Sequence, residues 1–182
     1  MRWIKDEKFI RGSIPMTKFN IRVLNMAYLS IEEGDLLLDI GAGTGSVSVE
    51  AVLQGARVWA VEREKEGVEL ISKNKDKFQA DITVIEGQAP EVLPDIKFDK
   101  CFIGGSSGHL KGIFDYLQSN LRGKGILCAN FITLNNLNEF LELLKLYDYE
   151  EVEVQLIQAS AIDKSGLLKG NNPIFIAKGV KE

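Results

Sequence analysis

The chain has 182 residues, 45% hydrophobic and 26% charged, with a formal net charge of −4. That length buries roughly 70% of the unfolded surface without a metal or disulfide staple, and it sets a prior of one domain over residues 1–182, with 1–34 as an N-terminal segment and helix. The charge argues against a nucleic-acid surface, and no apolar run approaches the roughly 20 residues of a membrane span.

The start, Met1-Arg2-Trp3-Ile4-Lys5-Asp6, lacks a signal-peptide core, so the cytoplasm is expected. Cys101 and Cys128 lie in apolar runs, too far apart for a zinc site, and are expected as buried free thiols, with no metal. Residues 1–14 are mixed and turn-like. Pro15-Met16-Thr17-Lys18 opens a helix with Thr17 as N-cap, and Ile21, Leu24 and Tyr28 follow at helical spacing.

After Gly34-Asp35, the run Leu36 to Ile40 reads as a buried parallel strand interrupted by Asp39. Gly41-Ala42-Gly43-Thr44-Gly45 then places glycine at every second position before a helix, Ser46 to Leu53, that Gly55 stops. Glycine there opens a turn and lets backbone approach a ligand at a helix start. A dinucleotide fingerprint G-x-G-x-x-G/A would put its third small residue at the slot held by Ser46, one place after Gly45. The spacing with Asp39 two residues ahead resembles the first motif of Rossmann-like methyltransferases, which points to S-adenosylmethionine. Dinucleotide binding and a glycine turn without ligand are the alternatives.

Val58 to Val61 is a second strand ending at Glu62, where a carboxylate can accept both hydroxyl protons of a ribose; the alternative is a solvated charge. Val68, Ile71 and Phe78 mark a helix face, and Ile82 to Ile85 is a third strand. Gly87-Gln88-Ala89-Pro90 follows as a turn that can line an adenine ring or stand as an ordinary turn. Phe98 to Ile103 is a fourth strand leading into Gly104-Gly105-Ser106-Ser107-Gly108-His109, a polar loop at the carboxyl end of the sheet and hence on the substrate side. That loop lacks the Asn/Asp-Pro-Pro-aromatic signature of nucleobase amino-methylating enzymes. A helix from Leu110 to Leu121, a glycine break from Arg122 to Gly125, and a fifth strand from Ile126 to Ala129 ending at Asn130 come next. Leu137, Phe140, Leu141 and Leu144 form an amphipathic helix, and Glu151 to Leu156 alternates as a half-exposed strand. Residues 160–173 read as a polar loop before a last strand, Ile174 to Ala177.

Taken together, Pro15-Met16-Thr17-Lys18, Asp39 to Ser46, Gly87-Gln88-Ala89-Pro90, Phe102-Ile103-Gly104-Gly105-Ser106, Asn130-Phe131-Ile132-Thr133-Leu134 and Asn172-Pro173 resemble the decarboxylating cobalt-precorrin-6B (C-15) methyltransferases over nearly the whole chain. The resemblance implies an α/β fold, a Rossmann-like class I methyltransferase with a seven-stranded, mostly parallel sheet, helices on both faces and an antiparallel last strand. It implies a homotetramer, and methylation of ring carbon 15 of a tetrapyrrole with loss of the ring C acetate. It assigns S-adenosylmethionine contacts to Thr17, Gly41, Ala42, Gly43, Thr44, Gly45, Glu62 and Ala89, alongside the motif neighbours Asp39, Gly87 and Gln88. Two departures stand out: Ser107 where the family tends to glycine, and Phe19-Asn20 where it tends to an acid, which deprives Thr17 of a capping-box partner.

Candidate substrate residues are Lys18, Gly104, Gly105, Ser106, His109, Asn130 and Lys169. His109, the one histidine, is either a catalytic group or a polar residue at a helix start. A polycarboxylate substrate needs cations, and Arg11, Lys18, Arg22, Lys164 and Lys169 lie in segments expected to border the mouth. No general base is evident. Competing readings are a methyltransferase acting on protein or RNA, an NAD-type oxidoreductase and a non-catalytic binding subunit.

Overall fold

A computed structural model describes residues 3–182; Met1 and Arg2, part of the segment read as lacking a signal core, lie outside the described residues. Nine strands are present: β1 Leu36–Ile40, β2 Arg57–Glu62, β3 Ile82–Glu86, β4 Phe98–Ile103, β5 Leu121–Phe131, β6 Tyr149–Ile157, β7 Ser160–Ile162, β8 Leu168–Gly170 and β9 Ile174–Lys181. Among the described residues five α-helices accompany them, after a short 3-10 turn at Asp6–Lys8: α1 Phe19–Leu29, α2 Ser46–Leu53, α3 Lys65–Phe78, α4 Leu110–Asn120 and α5 Leu134–Leu146. Seven strands form one sheet in the order β3-β2-β1-β4-β5-β9-β6, with β7 and β8 as a separate hairpin. β1 to β5 pair in parallel, and β9 runs antiparallel between β5 and β6.

The parity of β1 shows why its run is apolar on both sides. Leu38 and Ile40 pack with Phe114, Leu117 and Phe140 of α4 and α5, whereas Leu37 packs with Met26, Val47 and Ile71 of α1, α2 and α3. A parallel strand covered by helices on both faces needs such a run. Asp39 is the exception: it points to the α2 side, where the Ser48 hydroxyl donates to its Oδ2 at 2.5 Å. Cys101 and Cys128 are buried and free.

Four local expectations are corrected. Thr17 does not cap α1; the N-cap is Lys18, with no side-chain cap bond, because the chain stays extended through it (φ −66°, ψ 152°). The break at Arg122 to Gly125 is not a boundary: β5 begins at Leu121 and absorbs those residues as an irregularity in its pairing with β4, with Lys124 at φ 64°. Residues 160–173 contain the β7-β8 hairpin, paired from Ser160↔Gly170 to Ile162↔Leu168. β6 alternates as read, yet Val152, Val154 and Leu156 are 45%, 40% and 57% exposed, because β6 is the sheet edge and none of the described residues covers that side.

Candidate active site

The carboxyl ends of β1, β2 and β4 meet at a cleft, and the glycines of its floor hold the turns together. Gly41, Gly43 and Gly45 sit at φ 71°, 59° and 73°, where side chains are strained. A Cβ on Gly41 would stand 2.6 Å from the Gly105 carbonyl oxygen and 2.7 Å from its nitrogen, so the β1 and β4 turns touch backbone to backbone. Gly41 N–H and Ala42 N–H donate to the Val61 carbonyl, and Gly104 N–H to that of Ile40. These bonds fix the turn to three strands.

The cleft has two cavities that share Pro15, Gly41, Gly43, Gly104, Gly105 and Ser106. The inner cavity, ≈ 270 Å³, is lined among others by Val61, Glu62, Gly87, Gln88 and Ala89. The second, ≈ 330 Å³, is lined among others by Thr17, Lys18, Ala42, Asn130, Phe131 and Ile174. Glu62 is 7% exposed and braced on both oxygens: Gly43 N–H donates to Oε2 at 2.8 Å and Glu64 N–H to Oε1 at 2.9 Å. A carboxylate held by two amides keeps its remaining lone pairs aimed at the cavity.

Asp39, Thr44 and Gly45, expected at the cofactor, stand behind the wall and line neither cavity. Asp39 is fully buried, and that desolvation pushes its carboxyl up to about 7, opposed by the Ser48 hydrogen bond and reinforced by the charge of Glu62. Thr44 is buried with its carbonyl accepting from Asn74, and Gly45 begins α2 against Ile71. Their contribution is the shape of the turn.

A strap, residues 10–18, roofs the cleft, and Ile14 and Pro15 line it. The Asn74 amide accepts from Ile10 N–H at 2.8 Å and donates to the Ile10 and Thr44 carbonyls, tying strap to glycine turn. The Glu66 carboxylate accepts from Ser13 N–H at 2.6 Å and from the Ser13 hydroxyl, and these bonds to the charged form hold its pKa below the usual carboxylate range. Arg22, expected at the mouth, is instead buried: it bonds Glu50 (3.3 Å), Asp6 (3.1 Å) and the Thr17 and Ile4 carbonyls (2.6 Å each), and its guanidinium lies over Phe9. Removing water from an arginine requires that many partners, so it anchors the strap and is unavailable to a ligand.

Of the substrate candidates, Lys18, Gly104, Gly105, Ser106 and Asn130 line the cleft. The Asn130 Oδ1 there is buried and has no hydrogen-bond partner among the described residues. His109 is the N-cap of α4 and lines neither cavity, and Lys169 sits on the β7-β8 hairpin paired with Asp163 at 3.1 Å. Lys164, in the turn of that hairpin, is exposed, whereas Arg11 is on the strap. Sequence reasoning missed Asn74, Glu66 and Gly67. A Cβ on Gly67 would lie 2.6 Å from the Glu62 Cγ, so this glycine makes room for the acid; neither its helical position nor its surroundings in sequence signals that role.

Strand order, the glycine turn and the acid at the end of β2 together define a class I, Rossmann-like methyltransferase fold. The chain is similar to the precorrin-6y C5,15-methyltransferase of Geobacter metallireducens (TM-score 0.93, 32% identity, 99% of this chain and 97% of that one) and to the precorrin 8W decarboxylase of Methanobacterium thermoautotrophicum (0.87, 26%, 97% and 98%). In sequence it is 39% identical to the probable cobalt-precorrin-6B C(15)-methyltransferase (decarboxylating) of Sulfurisphaera tokodaii, over 98% of this chain and 97% of that one. The corresponding Salmonella typhimurium protein is 36% identical over 98% and 96%. The precorrin methyltransferase domain profile matches residues 8–181, and the chain belongs to that family.

Proposed function

We propose that the protein is an S-adenosylmethionine-dependent C-methyltransferase that methylates ring carbon 15 of (cobalt-)precorrin-6B and removes the ring C acetate as carbon dioxide, a step of cobalamin biosynthesis. The observation that carries this reading is Glu62, a carboxylate braced by two backbone amides beside a cleft walled by glycine, in a chain of the precorrin methyltransferase family. The names of relatives at 36–39% identity support the substrate, and family membership disfavours an NAD-type oxidoreductase, a bare binding subunit and a protein or RNA acceptor.

The residues fit the cofactor. Glu62 accepts the ribose hydroxyls, Gln88 and Ala89 wall the base, and Gly41, Ala42 and Gly43 offer backbone with no side chain larger than a methyl to the remainder, with Thr17 at the second cavity. When bound, S-adenosylmethionine supplies an electrophilic methyl group. The rest of the protein's work is positioning, an effect worth about 7 to 11 kcal/mol in well-oriented reactions. Ser106, Gly104 and Gly105 border both cavities and so hold the junction at which donor and acceptor meet, while Ile14 and Pro15 keep water out from above.

The whole chain acts as one domain in the cytoplasm; none of the described helices is long and apolar enough to cross a membrane. The open apolar side of β6, with Ile162 and Leu168 of the hairpin each 72% exposed, supports self-association, and the family resemblance favours a homotetramer. Light scattering on the eluting protein measures that. For the activity, calorimetry should detect S-adenosylhomocysteine and no NAD, and incubation with cobalt-precorrin-6B should give a product that has gained CH2, a methyl in place of a hydrogen, and lost CO2 in the mass spectrum. NAD binding, or an unchanged tetrapyrrole, would overturn the reading.

A further inference from the structure

Outside the strap lies a third cavity of ≈ 370 Å³, between Arg11 and Lys18. It shares Pro15, Met16 and Lys18 with the second cavity, so one groove runs from the junction at Ser106 outward over the strap. Neither the outer nor the second cavity has an Asp or Glu in its wall, although the chain carries 26 acidic residues and a net charge of −4. The inner cavity differs, with Glu62 and Glu64 in its wall.

Resting on the reading above, we infer that Arg11 and Lys18 receive the carboxylates that the tetrapyrrole retains, and that they determine its orientation. Three observations meet here. Both cations are exposed and, among the described residues, neither makes an ion pair, unlike the buried Arg22 and the hairpin's Lys169. α1 starts at Phe19 without a side-chain cap and without an acid in its first turn, so its leading N–H groups and the positive end of its dipole remain open beside Lys18. Two carboxylates tied to the strap are themselves engaged, Glu66 by Ser13 and Asp6 by Arg22.

The two cations belong to retained groups for a chemical reason. A salt bridge to a carboxylate that must leave as carbon dioxide stabilises the reactant over the transition state. The departing acetate therefore faces the apolar wall of the second cavity, formed by Ile103, Phe131, Ile132 and Ile174.

The test is Arg11→Gln, Lys18→Met, the double variant and Lys18→Arg, with cobalt-precorrin-6B as the varied substrate, saturating methyl donor, and low and high salt. At low salt KM should rise about threefold for each single neutral variant and about tenfold for the double, the scale of exposed charge pairs. The rise should appear in KM rather than kcat, shrink as salt screens the charges, and be absent in Lys18→Arg. Affinity for S-adenosylhomocysteine should stay within twofold of the wild type. Wild-type KM in the double variant, or a matching loss of S-adenosylhomocysteine affinity, would overturn the inference while leaving the activity intact. Failure of the wild type to turn over the tetrapyrrole would overturn both.

Discussion

The inner cavity and the outer groove are made of different materials. Around Glu62 the walls are backbone: glycines at positive φ, turns in contact at Gly41 and Gly105, and an acid that the chain's own amides hold in place. Over the strap the walls are side chains, with Arg11 and Lys18 extending from a segment that is pinned at Ile10, Ser13 and Thr17. A backbone-built site cannot be adjusted without disturbing the turns, whereas a side-chain-built one can change charge without touching the fold. On the function proposed above, donor recognition and acceptor selectivity sit on separable parts of one cleft.

The comparison breaks most completely at the glycines. Gly43→Val places a branched side chain at φ 59°, with its Cβ 3.2 Å from the Pro15 carbonyl oxygen under the roof, and should abolish S-adenosylhomocysteine binding in calorimetry while the far-ultraviolet circular dichroism stays near that of the wild type. Next is the anchor of the strap: Arg22→Ala strands the buried Glu50 and should lower the unfolding free energy in urea by roughly 3 to 5 kcal/mol. A much smaller loss would mean that the strap holds without it. Glu62→Ala sharpens the contrast from the other side. Losing a charged acceptor worth about 1.5 to 3 kcal/mol should weaken S-adenosylhomocysteine binding by roughly ten- to a hundredfold, with little effect on KM for the tetrapyrrole.

The last prediction concerns pH. The Asp39 carboxyl sits at about 7 in the folded chain against about 3.9 unfolded, so between those values the folded chain holds the extra proton. Its contribution to stability is full below pH 4 and is lost as pH rises through 7. Asp39→Asn removes this titration, so its midpoint of thermal unfolding should fall less than the wild type's between pH 4 and pH 7. Parallel slopes for the two proteins would show that Asp39 is ionised throughout.

What the sequence made legible was local. β1 to β4, the glycine turn and Glu62 are readable because a buried strand, a tight turn and the acid after it leave their pattern within a few neighbouring residues. Arg22 was misplaced for the opposite reason. Its helix gives no sign that Glu50, 28 residues away, and the Ile4 carbonyl wait for it. Asn74 and Ile10 are 64 residues apart and Ser13 and Glu66 53 apart, so the pins of the strap exist only in three dimensions. Ser107 is a smaller case. Where the family tends to glycine, this serine takes φ 51° beside the inner cavity, a left-handed position that disfavours a side chain by about 1 to 2 kcal/mol, so the loop keeps its turn despite the change of residue.

β9 lies between β5 and β6, and this sets an order of events during synthesis. β6 is made before the strand that gives it its only place in the main sheet, and 24 residues separate Ile157 from Lys181. At roughly 5 to 20 residues per second β6 waits for its partner strand for about one to five seconds after Ile157 is made, and the edge of β5 for longer, time enough to meet another nascent chain. Glu150, Glu151 and Glu153 stand at the start of β6, all exposed; in the finished fold Glu153 forms an ion pair with Lys178 of β9 at 2.8 Å and Glu150 one with Lys124 of β5 at 3.8 Å. Their charge repels a like strand during that interval, so the same side chains guard β6 against edge-to-edge pairing before those ion pairs form.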